Sequence, residues 1–210
     1  MSAFEATTVV GTLSGEIDAP VDEVFPLCCP VEEYRWIPGW KCNLVNCPND
    51  KVELGTVFKE IFSAPFLLGK ASGVTTWTAV LHESENHRLH FKLENAHSSS
   101  LYKIELGDDG KGGTTSNLEF TYRALDAKGN ALAKKDLQKK IEIMLGIIGL
   151  MLKTYCETGK MIPPATLQKS VMSEPLSFWE KIRLARNRLA MHRMADPDRA
   201  RFMRQLRTSG

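Results

Sequence analysis

The hydrophobic period of this chain changes once, from two to 3.6, and the change falls just after Gly129-Asn130. Upstream, segments rich in β-branched and aromatic residues read as strands over 7–18, 55–63, 73–81, 87–94, 100–107 and 114–125, with a weaker strand pattern over 41–46. The DDGKGG stretch at 108–113 is a turn between two of them. Downstream, Leu137, Ile141, Met144, Ile148, Leu152 and Tyr155 fall on one face of a single helix expected over 131–158. Gly159 stands at its C-cap position, and Pro163-Pro164 prevent continuation. Many strands and one long amphipathic helix bury their apolar faces most simply against each other. The expected class is α+β, with a curved antiparallel sheet wrapped around the helix. Between the first two strands, Pro20 starts a short helix that Pro26 and Pro30 interrupt.

Its 210 residues, 43% hydrophobic and 25% charged, suffice for one domain and an appendage. The net charge is +2, but residues 174–210 carry nine Lys/Arg against four Asp/Glu, and the remainder carries a small negative excess. No basic, apolar leader opens the sequence, and the longest apolar run, Ile143 to Leu152, is half of what a bilayer crossing needs. Five loosely spaced cysteines then point to reduced thiols in a cytoplasm.

Within GEIDAPVDEVFPLCCPVEEYRWIPGW, the phrase Ile17, Ala19, Pro20, Val24, Phe25 and the acidic-aromatic Glu33, Trp36, Pro38, Gly39, Trp40 resemble the opening of the START-like superfamily. This is the helix-grip group, also described as SRPBCC or polyketide cyclase/dehydrase-like. The stretch from Trp77 to Phe91 is similar to the paired middle strands of that group. The resemblance covers roughly 7–160 and implies a helix-grip domain over 1–160 with a ligand cavity between sheet and helix, while residues 161–210 fall outside it as a basic amphipathic helical extension. It does not imply one function, since lipid carriers, hormone receptors, quinone-binding proteins, cyclases and chaperone activators share this architecture.

On that architecture Trp36 and Trp40 line or cap the cavity mouth, or else close the end of the sheet as core residues. Strand alternation offers Phe58 or Phe62, Trp77, Leu89, Phe91, Leu118, Phe120 and Tyr122 as inward side chains facing Met144 and Ile148. The apolar connection 63–69, which carries Phe66, can serve as a flap or as an edge packed against the tail. Candidate ligand contacts are thus Trp36, Trp40, Phe62, Phe66, Trp77, Phe91, Phe120, Tyr122, Met144 and Ile148. Chemistry is harder to place. The five histidines lack metal-ligand spacing, Cys42 and Cys47 lack partner ligands, and Cys28-Cys29 read as small buried groups. No nucleophile elbow, phosphate loop or nucleotide fingerprint is present, so no cofactor or metal is expected and no catalytic residue is assigned. Glu60, Glu119 and Tyr102 are acid, base or hydrogen-bonding candidates wherever they point inward.

The tail holds a basic amphipathic stretch, Ser177 to Met194, with Ser177 and Glu180 in capping-box spacing. Its simplest use is docking on its own domain or, in a homodimer, on a sister subunit. A peripheral contact with an anionic membrane comes next, then nucleic acid or disorder. A nucleic-acid stacking role for the aromatics near residue 36 is weak because Glu32 and Glu33 flank them. Gly146 and Gly149 fall opposite the apolar face of the long helix, beside Ile143 and Leu150, so that back face is the expected seat for the Phe178, Ile182, Leu189 stripe. The functional expectation is an intracellular carrier or receptor of a hydrophobic small molecule: a lipid, a quinone or a polyketide-like compound. A cyclase/dehydrase-like enzyme and a chaperone-activating protein module are the competing readings.

Overall fold

After the first, the strand-like segments pair in sequence order, and the first pairs with the last. The computed structural model describes residues 4–47, 51–60, 74–133 and 136–163. Seven strands, β1 (Thr8–Ile17), β2 (Cys42–Asn46), β3 (Val57–Glu60), β4 (Thr75–Glu83), β5 (Arg88–Glu94), β6 (Ser98–Asp108) and β7 (Thr114–Ala124), form one sheet in the order β1-β7-β6-β5-β4-β3-β2. All six neighbouring pairs are antiparallel. The register stacks Phe91 beside Tyr102, Tyr102 beside Phe120, and Phe120 beside Gly11. Register shifts between Ala79 and Leu81, and between Leu44 and Asn46, mark bulges that increase the local twist and bend the sheet.

The helical elements are α1 (Val21–Val24), the 3-10 turns η1 (Phe25–Cys28) and η2 (Glu32–Arg35), α2 (Ala127–Ala133) and α3 (Leu137–Thr158). The single helix expected over 131–158 is therefore two. Asp126 opens the first, its carboxylate accepting the Gly129 N–H at 2.7 Å, and Asp136 in the left-handed region (φ 59°) turns the chain before the second. Gly159, also left-handed, closes α3 by donating its N–H to the Tyr155 carbonyl at 2.7 Å.

The start of α3 lies on β1 at Gly11, one of two positions where β1 has no side chain. A Cβ on Gly11 would stand 2.5 Å from Cγ2 of Ile141, so only glycine permits this approach. Further along, a Cβ on Gly149 would meet Leu13 at 3.3 Å, whereas among the described residues nothing stands within 4 Å of one on Gly146. Gly149 thus faces β1 and not the back of the helix, which corrects the expected pairing of the two glycines. Strand β1 curves around that flank of α3, so a wheel centred on Met144 and Ile148 misjudges it. At the C-terminal end, Lys153 donates to the Glu16 carbonyl at 2.7 Å, and the Asp18 N–H donates to Glu157 at 3.1 Å. Among the described residues no helix is long and apolar enough to cross a membrane. The tail beyond Pro163, with its proposed docking stripe, homodimer contact and membrane contact, lies outside the described residues, as do Phe62, Phe66 and the 63–69 connection.

Candidate functional site

Burial of aromatic side chains on the concave face of the sheet builds the site from one end. Trp40, Phe58, Trp77, Phe91, Tyr102 and Phe120 form a continuous chain of ring contacts, with centroids 5.4 to 6.5 Å apart. Phe58 is the inward residue of β3, and Trp77, Leu89, Phe91, Leu118, Phe120 and Tyr122 point inward as the alternation predicts. The Tyr122 hydroxyl donates to the Gly129 carbonyl at 2.9 Å and so ties β7 to α2. Met144 is buried against this core, and Ile148 is partly buried. Trp36 and Trp40 are core residues, 1% and 7% exposed. Each indole N–H donates at 2.9 Å to a carbonyl of the preceding turns, Trp36 to Leu27 and Trp40 to Pro30. These bonds fasten the segment 25–40 to itself, because a buried indole N–H must find an acceptor.

Where the aromatic chain ends, a small, partly enclosed space of about 20 Å³ remains between the sheet, α3 and the short helices. That is room for about one water molecule. Its walls include Ile17, Trp36, Ile104, Leu118, Ile148 and Leu152, and its polar groups are Glu33, Tyr102, Cys28 and Ser116. Ser116 donates to the Gly15 carbonyl at 3.3 Å, and the Cys28 thiol sits 3.9 Å from the Val24 carbonyl. Among the described residues neither the Glu33 carboxyl nor the Tyr102 hydroxyl has a hydrogen-bond partner. Burial, reinforced by the nearby charge of Glu60, holds the Glu33 carboxyl well above the usual carboxylate range. Burial, with Cys28 and Glu33 adding to it, raises the Tyr102 phenol likewise. The Tyr102 phenol therefore keeps its proton at neutral pH, and the Glu33 carboxyl holds its proton to higher pH than an exposed carboxyl does. Glu33 retains some accessible surface, in keeping with a place on a cavity wall.

Of the other polar candidates, Glu60 accepts the Trp77 indole N–H at 3.1 Å, and Glu119 points outward to a 2.8 Å ion pair with Lys103. His87 and His90 bond to Asp22 and Glu105, and His97 to Asp126. The five thiols are free. Burial pushes Cys42 up to about 12 and Cys156 up to about 11, which leaves neither a ready nucleophile at neutral pH. Among the described residues no three potential ligands gather as a metal site.

On the outer side of the short helices runs an open groove of about 570 Å³. Phe25, Leu27, Val31, Val52 and Leu89 form its apolar lining, with Asp22, Glu23, Glu32, Arg35, Lys51 and His87 among its polar groups. Residues 25–36 are the wall between groove and cavity. Cys28, Glu33 and Trp36 face in, whereas Leu27, Cys29, Glu32 and Arg35 face out. The Arg35 guanidinium donates to the Tyr155 hydroxyl at 2.9 Å and lies 5.5 Å from that ring centroid, so the wall leans on the end of α3.

No protein-family model matches the sequence, and no curated protein matches it either. Solved structures do. A norcoclaurine synthase point mutant from Thalictrum flavum, in complex with a transition state analogue, aligns at a TM-score of 0.57 with 12% identity, covering 75% of this chain and 99% of that one. TTHA0849 from Thermus thermophilus aligns at 0.53 with 16% identity, covering 72% and 99%. Ara h 8.0201 aligns at 0.52 with 11% identity, again covering 72% and 99%. The chain has the helix-grip fold of the START-like superfamily.

In this helix-grip chain, the residue that sequence reasoning undervalued is Glu33. It served there as part of the acidic-aromatic motif and as a sign of acidity beside the aromatics, not as a site residue. Residues three apart in a 3-10 turn lie on the same face, and that spacing places Glu33 with Trp36 on the cavity side. The available signal was therefore a glutamate in step with a large aromatic.

Proposed function

We propose that this helix-grip chain binds an apolar small molecule between its sheet and α3, anchoring one polar end of it. The observation that carries this reading is the pair Glu33 and Tyr102, one partly buried and one buried, neither with a hydrogen-bond partner among the described residues, on the wall of a mainly apolar cavity. An unpaired buried polar group costs about 1–3 kcal/mol, so a fold that keeps two of them beside one space has a use for them. A core filled only to support protein–protein contact has none. The cavity in this state holds about one water, so uptake requires the wall 25–36 to move toward the groove outside it. That wall consists mainly of 3-10 turns, whose hydrogen bonds are poorer than those of an α-helix. The groove has the size of a small-molecule pocket and supplies room for the displaced side chains. The free thiols suit a reducing compartment such as the cytoplasm.

A cyclase/dehydrase-like reaction is the second reading, and the same two groups are what favours it. Proton abstraction needs a base, however, and burial raises Glu33, Tyr102 and Cys28 alike, which works against the ionised form of each. Binding is the better use of this chemistry. The test is native mass spectrometry of the protein purified from its own host, followed by titration with the ligand recovered. A stoichiometric apolar adduct is expected. Trp36→Ala should weaken its binding per folded molecule as well as lower the melting temperature, the latter through a loss of about 3–5 kcal/mol. A protein that carries no adduct and takes up no apolar probe would end the reading.

A further inference from the structure

We infer that Glu33 and Tyr102 grip a single carbonyl oxygen of the ligand, each donating its hydroxyl hydrogen, so that the chain selects apolar ketones, quinones or related carbonyl compounds. This rests on the interior being a ligand site, and names the ligand class that site takes.

The inference follows from what the cavity offers and what it lacks. Both side chains border one space that accommodates about one oxygen-sized group. Glu33 comes from η2 and Tyr102 from the middle of β6, so two separate elements bring their polar groups to the same wall. The other polar groups there, Ser116 and Cys28, are already engaged with backbone carbonyls. The Tyr102 hydroxyl and the protonated Glu33 carboxyl are thus two donors with no partner among the described residues. A carbonyl oxygen has two lone pairs and brings no hydrogen of its own, so it satisfies both donors and leaves nothing unpaired. A hydrocarbon leaves both unsatisfied. An ammonium group would require Glu33 to ionise and two charges to be stripped of water in an apolar enclosure, a heavy desolvation cost. Wall residues Ile17, Trp36, Leu118 and Ile148 supply apolar contact for the atoms next to the carbonyl.

Three probes of one shape separate these cases: 2-acetylnaphthalene, 2-ethylnaphthalene and 1-(2-naphthyl)ethylamine. Affinities are measured by calorimetry for the full chain and for Glu33→Met, Tyr102→Phe and the double variant. The ketone is expected to bind roughly tenfold or more tightly than the ethyl compound, as two net hydrogen bonds would give. Each single variant should lose part of that preference, and the double variant all of it, while the ethyl compound binds the variants at least as tightly as the wild type. The infrared carbonyl stretch of the bound ketone should fall to lower frequency in the wild type and return in the double variant, which a purely structural role would not produce. Equal binding of ketone and hydrocarbon, insensitive to both substitutions, would overturn the inference and leave the pair as the seat of a water, with the binding reading intact. Tighter binding of the amine would overturn it in favour of an ionised Glu33. Binding of none of the three would remove the proposed function together with this inference.

Discussion

A glutamate in water is ionised above pH 5, and Glu33 is held away from that state by burial first and by the charge of Glu60 second. Its folded-state pKa is raised above the unfolded value. The folded form therefore binds the proton more tightly, and this contribution to stability is fully present below the ordinary carboxylate pKa. As pH rises from that value through the raised folded pKa, the contribution is lost, and beyond it the curve is flat. Glu33→Gln removes the titration while keeping the shape. The variant should gain stability relative to the wild type as pH increases from 5 to 8, by about 1–3 kcal/mol, the cost of a poorly compensated buried polar group. Chemical denaturation at the two pH values checks it. An unchanged difference between the variants across that range would mean that Glu33 titrates as an ordinary surface acid.

Among the elements, the strands were legible because each alternates for at least four residues and is bounded by turn residues, and β6 and β7 lie within two residues of their expected ends. The break between α2 and α3 was not. It depends on a left-handed Asp136 and on Asp126 capping from outside the periodic segment, and an apolar wheel registers neither. The inward faces of β5, β6 and β7 were readable from alternation. The wall over 25–36 was not, since its turns are four residues long and too short to show a period. The seat of α3 on β1 offers a test at this scale. Gly11→Ala places a methyl group against Ile141, 2.5 Å from its Cγ2, and should cost about 1–3 kcal/mol through overpacking. Ile141→Val removes a methyl from the same contact, so the double variant should lose less than the sum of the single losses. Strict additivity in urea denaturation would show that the helix does not rest on that glycine.

For the whole molecule, the question is where the cooperative unit ends. Sequence resemblance sets the boundary at 160, but Ile162 is 5% exposed and belongs to the apolar core beyond the Gly159 cap. The sheet, α3 and the cap are complete by Pro163. Two truncations follow, one after Pro163 and one after Thr158. The longer chain should unfold in a single cooperative transition close to that of the full protein. The shorter one loses the Gly159 cap and the Ile162 contact, and burial of a side chain of that size alone is worth about 1.5–3 kcal/mol. Its melting temperature should fall by several degrees, in line with about 4–8 °C per kcal/mol for domains of 60–100 residues and half that for larger ones. Leu150 is 38% exposed on α3, and Gly146 leaves open room four residues before it. If the basic tail docks there, the chain cut after Pro163 will instead self-associate or melt early in calorimetry and light scattering. That result would assign the tail a place in the folded unit and reject a body that closes on itself at Pro163.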